Sequence, residues 1–262
     1  MFRYAALGII QGITEFLPVS SSGHLVIFKH LFGLQGPDNA LLEALLHFGT
    51  LVAVLIVFRG KIKRLIVGVF FGSTEERRYL FYLIIATVPI GVVGLLAQDF
   101  VEAAFGSIRS AGIGLLITGS FLWPLRLRSG SSREEEDFNW REALMIGVAQ
   151  ATALFPGISR SGVTVSTGLF KDLDPDQVAE FSFLLMVPAV LGANILQSWE
   201  GFVGNPGASL PLLAYGIGTV AAGISGVIAI KLLLNLIRKG ELTRFSYYCL
   251  GVGGASLVWS FL

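Results

Sequence analysis

The side chains best suited to chemistry in this sequence fall in two short stretches that resemble each other. The first reads Gln11-Gly-Ile-Thr-Glu15-Phe-Leu-Pro18-Val-Ser20-Ser21-Ser22-Gly23-His24, and the second Pro156-Gly157-Ile-Ser159-Arg160-Ser161-Gly162-Val-Thr164. Gln11 and Glu15 are i and i+4, so they share one helix face. A carboxylate and an imidazole come from the first stretch. A guanidinium comes from the second, at the position where the first has Ser21. Each serine-rich turn feeds a new helix, whose leading amides lack an intrahelical acceptor and favour an anion. Hydroxyls, a cation and two helix N-termini gathered at one depth suit a phosphate oxyanion. The plainer readings are that the serines cap helices and that Glu15 and Arg160 form a buried ion pair fixing register. Charges inside a membrane are nevertheless functional by default.

The setting for these residues is a membrane. Of 262 residues, 53% are hydrophobic and only 14% charged, too few charges to cover a water-soluble domain of this size. The net charge of +1 gives no field for nucleic acid, and the single Cys249 excludes an internal disulfide or a cysteine-based metal cluster. Apolar stretches of bilayer length predict full spans at 40–58, 79–97, 108–127, 178–197, 210–236 and 244–262. Two further regions, 4–34 and 140–172, are apolar but broken by Pro18 with Ser20-Ser21-Ser22-Gly23, and by Pro156-Gly157 with Ser159-Arg160-Ser161-Gly162. A helix from Tyr4 to Phe16 is short of the ~30 Å hydrocarbon core, so each broken region reads as a re-entrant hairpin. Irregular backbone at that depth must be buried in protein or face a water-filled cavity.

Basic residues predict the orientation. With the loop 59–78 cytoplasmic, fifteen of the nineteen Lys and Arg lie inside and only Arg3, Lys29 and Arg109 outside, with Arg160 in the second hairpin turn. Both termini and the first hairpin are then extracytoplasmic, and the second hairpin enters from the cytoplasm. Glu43 and His47, at the outer part of their span, read as interfacial. Gln150, Asn194 and Gln197 read as helix-to-helix hydrogen-bonding groups. Thr87 and Thr219 read as packing positions, and the Glu134–Asp137 run as a solvated loop.

The chain also repeats itself. At an offset of 139, Gly8, Gln11, Phe16, Ser20, Ser22 and Gly23 fall on Gly147, Gln150, Phe155, Ser159, Ser161 and Gly162. At an offset of 132, Thr87, Val88, Gly91 and Gly94 fall on Thr219, Val220, Gly223 and Gly226. The expected fold is an all-α polytopic membrane protein, one integral membrane domain over 1–262. It comprises repeat one (about 1–128), a cytoplasmic loop (about 128–139) and repeat two (about 140–262). Each repeat is a hairpin plus three transmembrane helices, an odd number of crossings, so the second is inverted. In such proteins the site lies near mid-membrane, where the broken helices meet.

These two motifs, the span pattern and the length resemble the undecaprenyl-diphosphatase (bacitracin-resistance) family over essentially the whole chain. The resemblance implies hydrolysis of undecaprenyl diphosphate to the monophosphate, recycling the carrier lipid of cell-wall synthesis in the bacterial inner membrane. It implies catalytic Glu15, Ser21, His24 and Arg160, with Ser21 the nucleophile and Arg160 the phosphate-binding cation. Gln11, Ser20, Ser22, Gly157, Ser159, Ser161 and Thr164 line the diphosphate pocket. Where many members carry Glu, this chain has Gln11, which argues against an obligatory proton-transfer role there. Either Glu15 or His24 takes the serine proton, or Glu15 anchors a divalent cation, Mg²⁺ or Ca²⁺. The partners expected are the lipid diphosphate and membrane lipids, without nucleic acid. The alternative function is a transporter or flippase of a phosphorylated lipid or anion.

Overall fold

The computed structural model describes residues 1–34, 39–105, 107–127, 138–204 and 211–261, and the side chains of all of these except 39, 40, 102 and 193–204. The Glu134–Asp137 run, most of the loop at 128–139, and the side chains of Asn194 and Gln197 lie outside them. Among the described residues every regular element is helical. The first broken region forms α1 (Phe2–Phe16) and α2 (Ser21–Phe32), followed by α3 (Asn39–Val57), α4 (Arg59–Phe71), α5 (Thr74–Leu96), α6 (Gln98–Phe105) and α7 (Ile108–Leu122). The second forms α8 (Trp140–Thr152) and α9 (Arg160–Leu169), followed by α10 (Pro175–Gly204), α11 (Leu212–Arg238) and α12 (Thr243–Trp259).

A helix occupies each of the six expected spans. Thr74–Leu96, Ile108–Leu127 and Leu212–Arg238 are each long and apolar enough to cross a membrane. Their outward residues, such as Phe81, Ile84, Val88 and Leu95 on α5 and Val220, Ile224 and Ile228 on α11, are large, apolar and exposed. So much bare apolar surface is stable only against lipid, and the chain is a multi-pass membrane protein.

One local expectation is corrected, and one span is refined at its end. The segment read as a loop at 59–78 is mostly α4, bent 75° from α3. Lys, Arg, Leu and Ile propagate a helix well, and nothing stops this one before Gly72 takes the left-handed conformation at φ 99°. The bend lies at Phe58, whose ring docks on Phe183 at a centroid distance of 5.6 Å. The span at 108–127 also loses its α-helical form before its end. Pro124 has no N–H to donate, and Trp123–Leu127 tightens into a 3₁₀ turn.

Glycine decides how closely the helices approach. A Cβ at Gly8 would lie 2.1 Å from the Gly218 carbonyl oxygen, and one at Gly12 2.0 Å from Ser225 Oγ, so α1 lies directly on the backbone of α11. Gly147 sets α8 against Ala86 of α5, where a Cβ would come within 2.3 Å of the carbonyl oxygen. Gly112 and Gly253 bring α7 and α12 together, and Gly49 brings α3 against Thr219 of α11. Without a hydrophobic drive between helices in lipid, such contacts rest on van der Waals packing that small residues permit.

The two interhelical breaks, after α1 and after α8, touch each other. A Cβ on Gly23 would sit 2.9 Å from Gly157 Cα, and one on Gly162 3.4 Å from Pro18 Cβ. At this junction a small void lined by Pro18, Leu122, Ser161, Gly162, Val165, Leu233 and Leu242 is too tight to admit a water molecule. Around it lies a core that includes the fully buried Phe16, Phe181 and Phe183.

Candidate active site

Both turns are capped alike. Ser20 Oγ accepts from Gly23 N at 3.2 Å, and Ser159 Oγ from Gly162 N at 3.1 Å. Ser22 and Ser161 lie 3.1 and 3.2 Å from the respective cap hydroxyls. The capping reading of these serines therefore holds for Ser20 and Ser159. The amides of Ser21, Ser22, Arg160 and Ser161, in the first turns of α2 and α9, have no acceptor one turn earlier in their own helices. Both helix N-termini thus present positive ends at one junction.

The junction gathers the unlike groups of the two stretches. Arg160 Nη2 donates to Glu15 Oε1 at 2.8 Å, with the two side chains only 12% and 5% exposed. Ser21 Oγ donates to Glu15 Oε2 at 2.5 Å, and Gln11 Nε2 donates to the same oxygen at 3.0 Å. A carboxylate taken out of water needs such partners, since removing one from a buried pair typically costs ~3–5 kcal/mol. Arg160 Nη1 also reaches the Ser182 carbonyl at 3.4 Å, which leaves guanidinium donors for a further anion.

Other expected residues take supporting places. Thr164 Oγ1 donates to the Arg160 carbonyl at 2.7 Å and meets Ser182 Oγ at 2.6 Å, which fixes the turn that carries Arg160. Ser161 donates across the junction to the Leu17 carbonyl at 3.3 Å. Gly157, at φ 93°, packs against Ala111, Gly114 and Gly23. Its carbonyl accepts from Thr118 Oγ1 at 2.8 Å, while that oxygen accepts from Ser159 N at 2.9 Å.

His24 does not meet Ser21. Its Nδ1 lies 2.8 Å from the Ser20 carbonyl, which can only accept, so Nδ1 carries the proton. Nε2 then accepts from the Tyr248 hydroxyl at 2.7 Å, and the two rings lie within 8° of parallel. The three-residue spacing of Ser21 and His24 turns the imidazole toward α12 instead of toward the carboxylate.

His47 corrects the interfacial reading. Its Nδ1 is 3.0 Å from Gln11 Nε2 and 3.5 Å from Glu15 Oε2. One turn away, Glu43 pairs with Lys29 and stays clear of the site. Sequence reasoning missed His47, Tyr248, Thr118 and Ser182, because each arrives from a long helix with no motif around it. Gln150, the repeat partner of Gln11, is buried, and neither of its amide atoms has a hydrogen-bond partner among the described residues.

The donor set bears on the expected metal. Among the described residues no three His, Cys, Asp or Glu side chains gather as a metal cluster. Both Glu15 oxygens already accept from Arg160, Gln11 and Ser21. Among the described residues, Glu15 with its three donors does not supply the ligand set of a resident Mg²⁺ or Ca²⁺ site.

An acid, a hydroxyl and a guanidinium thus cluster where the two interhelical breaks of an all-helical membrane protein meet. The chain belongs to the family described as bacitracin resistance protein BacA, matched over residues 4–255. It is similar to an undecaprenyl-diphosphatase of Halothermothrix orenii, 42% identical over 253 residues, covering 97% of this chain and 95% of the relative. It is also similar to undecaprenyl-diphosphatases of Korarchaeum cryptofilum, at 41% over 261 residues (96% of each chain), and of Bacteroides fragilis, at 39% over 266 residues (99% and 98%).

Proposed function

We propose that this protein hydrolyses undecaprenyl diphosphate to undecaprenyl phosphate and inorganic phosphate, with Ser21 as nucleophile and Glu15 as its base. The observation that carries the assignment of roles is the 2.5 Å contact from Ser21 Oγ to Glu15 Oε2, with Arg160 on the other carboxylate oxygen. The family and the names of the relatives support the substrate.

Phosphoryl transfer is chiefly positioning and charge stabilisation. Arg160 and the first-turn amides of α2 and α9 bind the diphosphate oxygens in a fork and at two positive helix ends. Ser21 Oγ attacks the terminal phosphorus, and its proton passes to Glu15 Oε2. The bridging P–O bond breaks, and the lipid monophosphate leaves. Glu15 returns that proton to the departing lipid phosphate. Water then attacks the phosphoserine. Glu15 takes a proton from the water and passes it to Ser21 Oγ as the serine P–O bond breaks, which releases inorganic phosphate and regenerates Ser21. Glu15 is favoured over His24 as the base because both ring nitrogens of His24 are engaged elsewhere. His24 instead holds the turn at Ser20 in place. A divalent cation enters this reading only as a companion of the substrate's own phosphate oxygens.

The same reading takes the chain as two inverted repeats with re-entrant hairpins, in the bacterial inner membrane with the pocket open to the extracytoplasmic side. Helix pairing supports it. α1 of the first half lies on α11 of the second, α8 of the second lies on α5 of the first, and α3 pairs with α10 as α7 does with α12. The basic-residue count supports the orientation.

The test is phosphate release from a C55 diphosphate by purified protein in detergent, compared with shorter prenyl diphosphates. Stoichiometric release of inorganic phosphate is expected. Movement of the lipid across vesicle membranes without phosphate release would instead establish the transporter.

A further inference from the structure

We propose that His47 is a positioning residue of this site, acting as a hydrogen-bond acceptor that orients the Gln11 amide and, through it, the Glu15 carboxylate. The inference rests on the phosphatase reading above and adds a residue from a third element, α3, to a site otherwise built from the two turns.

Gln11 is fully buried, and its Nε2 lies 3.0 Å from Glu15 Oε2 and 3.0 Å from His47 Nδ1. A primary amide nitrogen has two N–H donors, and here each has an acceptor. Exchanging the amide nitrogen and oxygen would set a carbonyl oxygen against the carboxylate, a repulsive contact in a buried site. The nitrogen therefore faces Glu15, and the ring atom beside it must accept. His47 Nδ1 consequently carries no proton in this arrangement. The 3.5 Å separation of Nδ1 from Glu15 Oε2 is a proximity imposed by the shared amide. Gln11 Oε1, on the far side, has no partner among the described residues, so the amide is held only through its nitrogen.

The register of His47 is set by packing that also sets Gln11. Gly49 presses α3 against Thr219 and Ala222 of α11, while Gly8 and Gly12 press α1 against Gly218 and Ala222 of the same helix. α11 thus serves as a common ruler for both members of the contact. Glu15 of α1 is the carboxylate facing the ring, Arg160 of α9 lies on its far side, and Glu43 of α3 is occupied by Lys29.

Without an acceptor at position 47, one amide N–H is orphaned in a buried site and the amide swings to find another partner. Glu15 Oε2 then loses a donor and drifts from Ser21. Displacements of about 1 Å in such a site cost on the order of 100-fold in rate. Substrate binding, which belongs to Arg160 and the helix amides, is little affected.

The test is steady-state phosphate release by the full-length protein in detergent. His47→Phe, similar in size but without an acceptor, is expected to lower kcat about 10- to 100-fold with KM within about threefold. His47→Asn, whose Oδ1 occupies the place of Nδ1, is expected to recover most of the loss. In a Gln11→Met background, His47→Phe is expected to cost less than about threefold more, because the pair acts as one unit. Wild-type kcat in His47→Phe overturns the proposal, as does equal loss in the Phe and Asn variants or full additivity with Gln11→Met. If His47→Phe fails to purify as a monodisperse species, His47→Leu, also without an acceptor, carries the same decision alone and combined with Gln11→Met. A wild-type protein that releases no phosphate defeats the phosphatase reading itself, a result distinct from all of these.

Discussion

At the residue scale, the roles proposed for Ser21, Glu15 and Arg160 differ, and their variants separate them. Ser21→Ala removes the attacking oxygen and is expected to lower kcat at least about 1,000-fold while substrate still binds. A phosphate-release assay with lipid-binding measurements checks both halves of that statement. Arg160→Lys keeps the charge but loses the planar fork shared between Glu15 and the diphosphate, and about a 100-fold loss in kcat/KM is expected in the same assay. The pairing of Glu15 with Arg160 was legible from the two motifs alone, because a carboxylate and a guanidinium in apolar stretches need each other away from water. What the motifs did not carry was direction. Ser21 and His24 look like partners by spacing, yet the imidazole leans on Tyr248, a residue 224 positions away that no local pattern announces. His47 was misjudged for a related reason. Its depth along α3 suggested an interface, and only the packing of α3 on α11 turns it toward Gln11.

At the element scale, the turns work because glycine lets two broken helices touch. Gly157 has φ 93°, and a Cβ there would lie 2.2 Å from the Ala111 carbonyl oxygen. Gly157→Ala is therefore expected to cost about 1–3 kcal/mol from the backbone conformation alone, and more from the clash. The expected readout is a lowered thermal midpoint in detergent, with activity lost in parallel because Arg160 moves with its turn. Gly251→Ala, at a position with open space, should leave both unchanged. The helices themselves were readable from apolar length. Their breaks were readable too, from Pro and Ser clusters. The bend at Phe58 was not, because the basic residues that follow it mark a boundary to a hydropathy count while remaining good helix formers. Charge located the end of the apolar stretch; it did not end the helix.

At the scale of the whole molecule, the placement of basic residues predicts which side of the membrane each surface faces. An impermeant thiol reagent should label a cysteine placed at Gly36 from outside intact cells, and one placed at Lys239 only after permeabilisation. The native Cys249 is fully buried and should stay silent in both conditions. The reverse pattern would invert the topology and with it the direction of substrate entry. In the sequence, glycines and serines recur at fixed offsets. The exchange of partners between halves was not legible there, since it depends on which glycine faces which backbone.

The junction of the two turns has an electrical consequence as well. A polar, charged pocket halfway through a bilayer invites ions and protons to hop across and dissipate the gradients a cell lives on. Here the backbone of Gly23 lies against Gly157, beside a void lined by Pro18, Leu122, Ser161, Gly162, Val165, Leu233 and Leu242 that has no room for a water molecule, so no chain of solvent threads that seam. The seam that brings the two turns together is thus also dry.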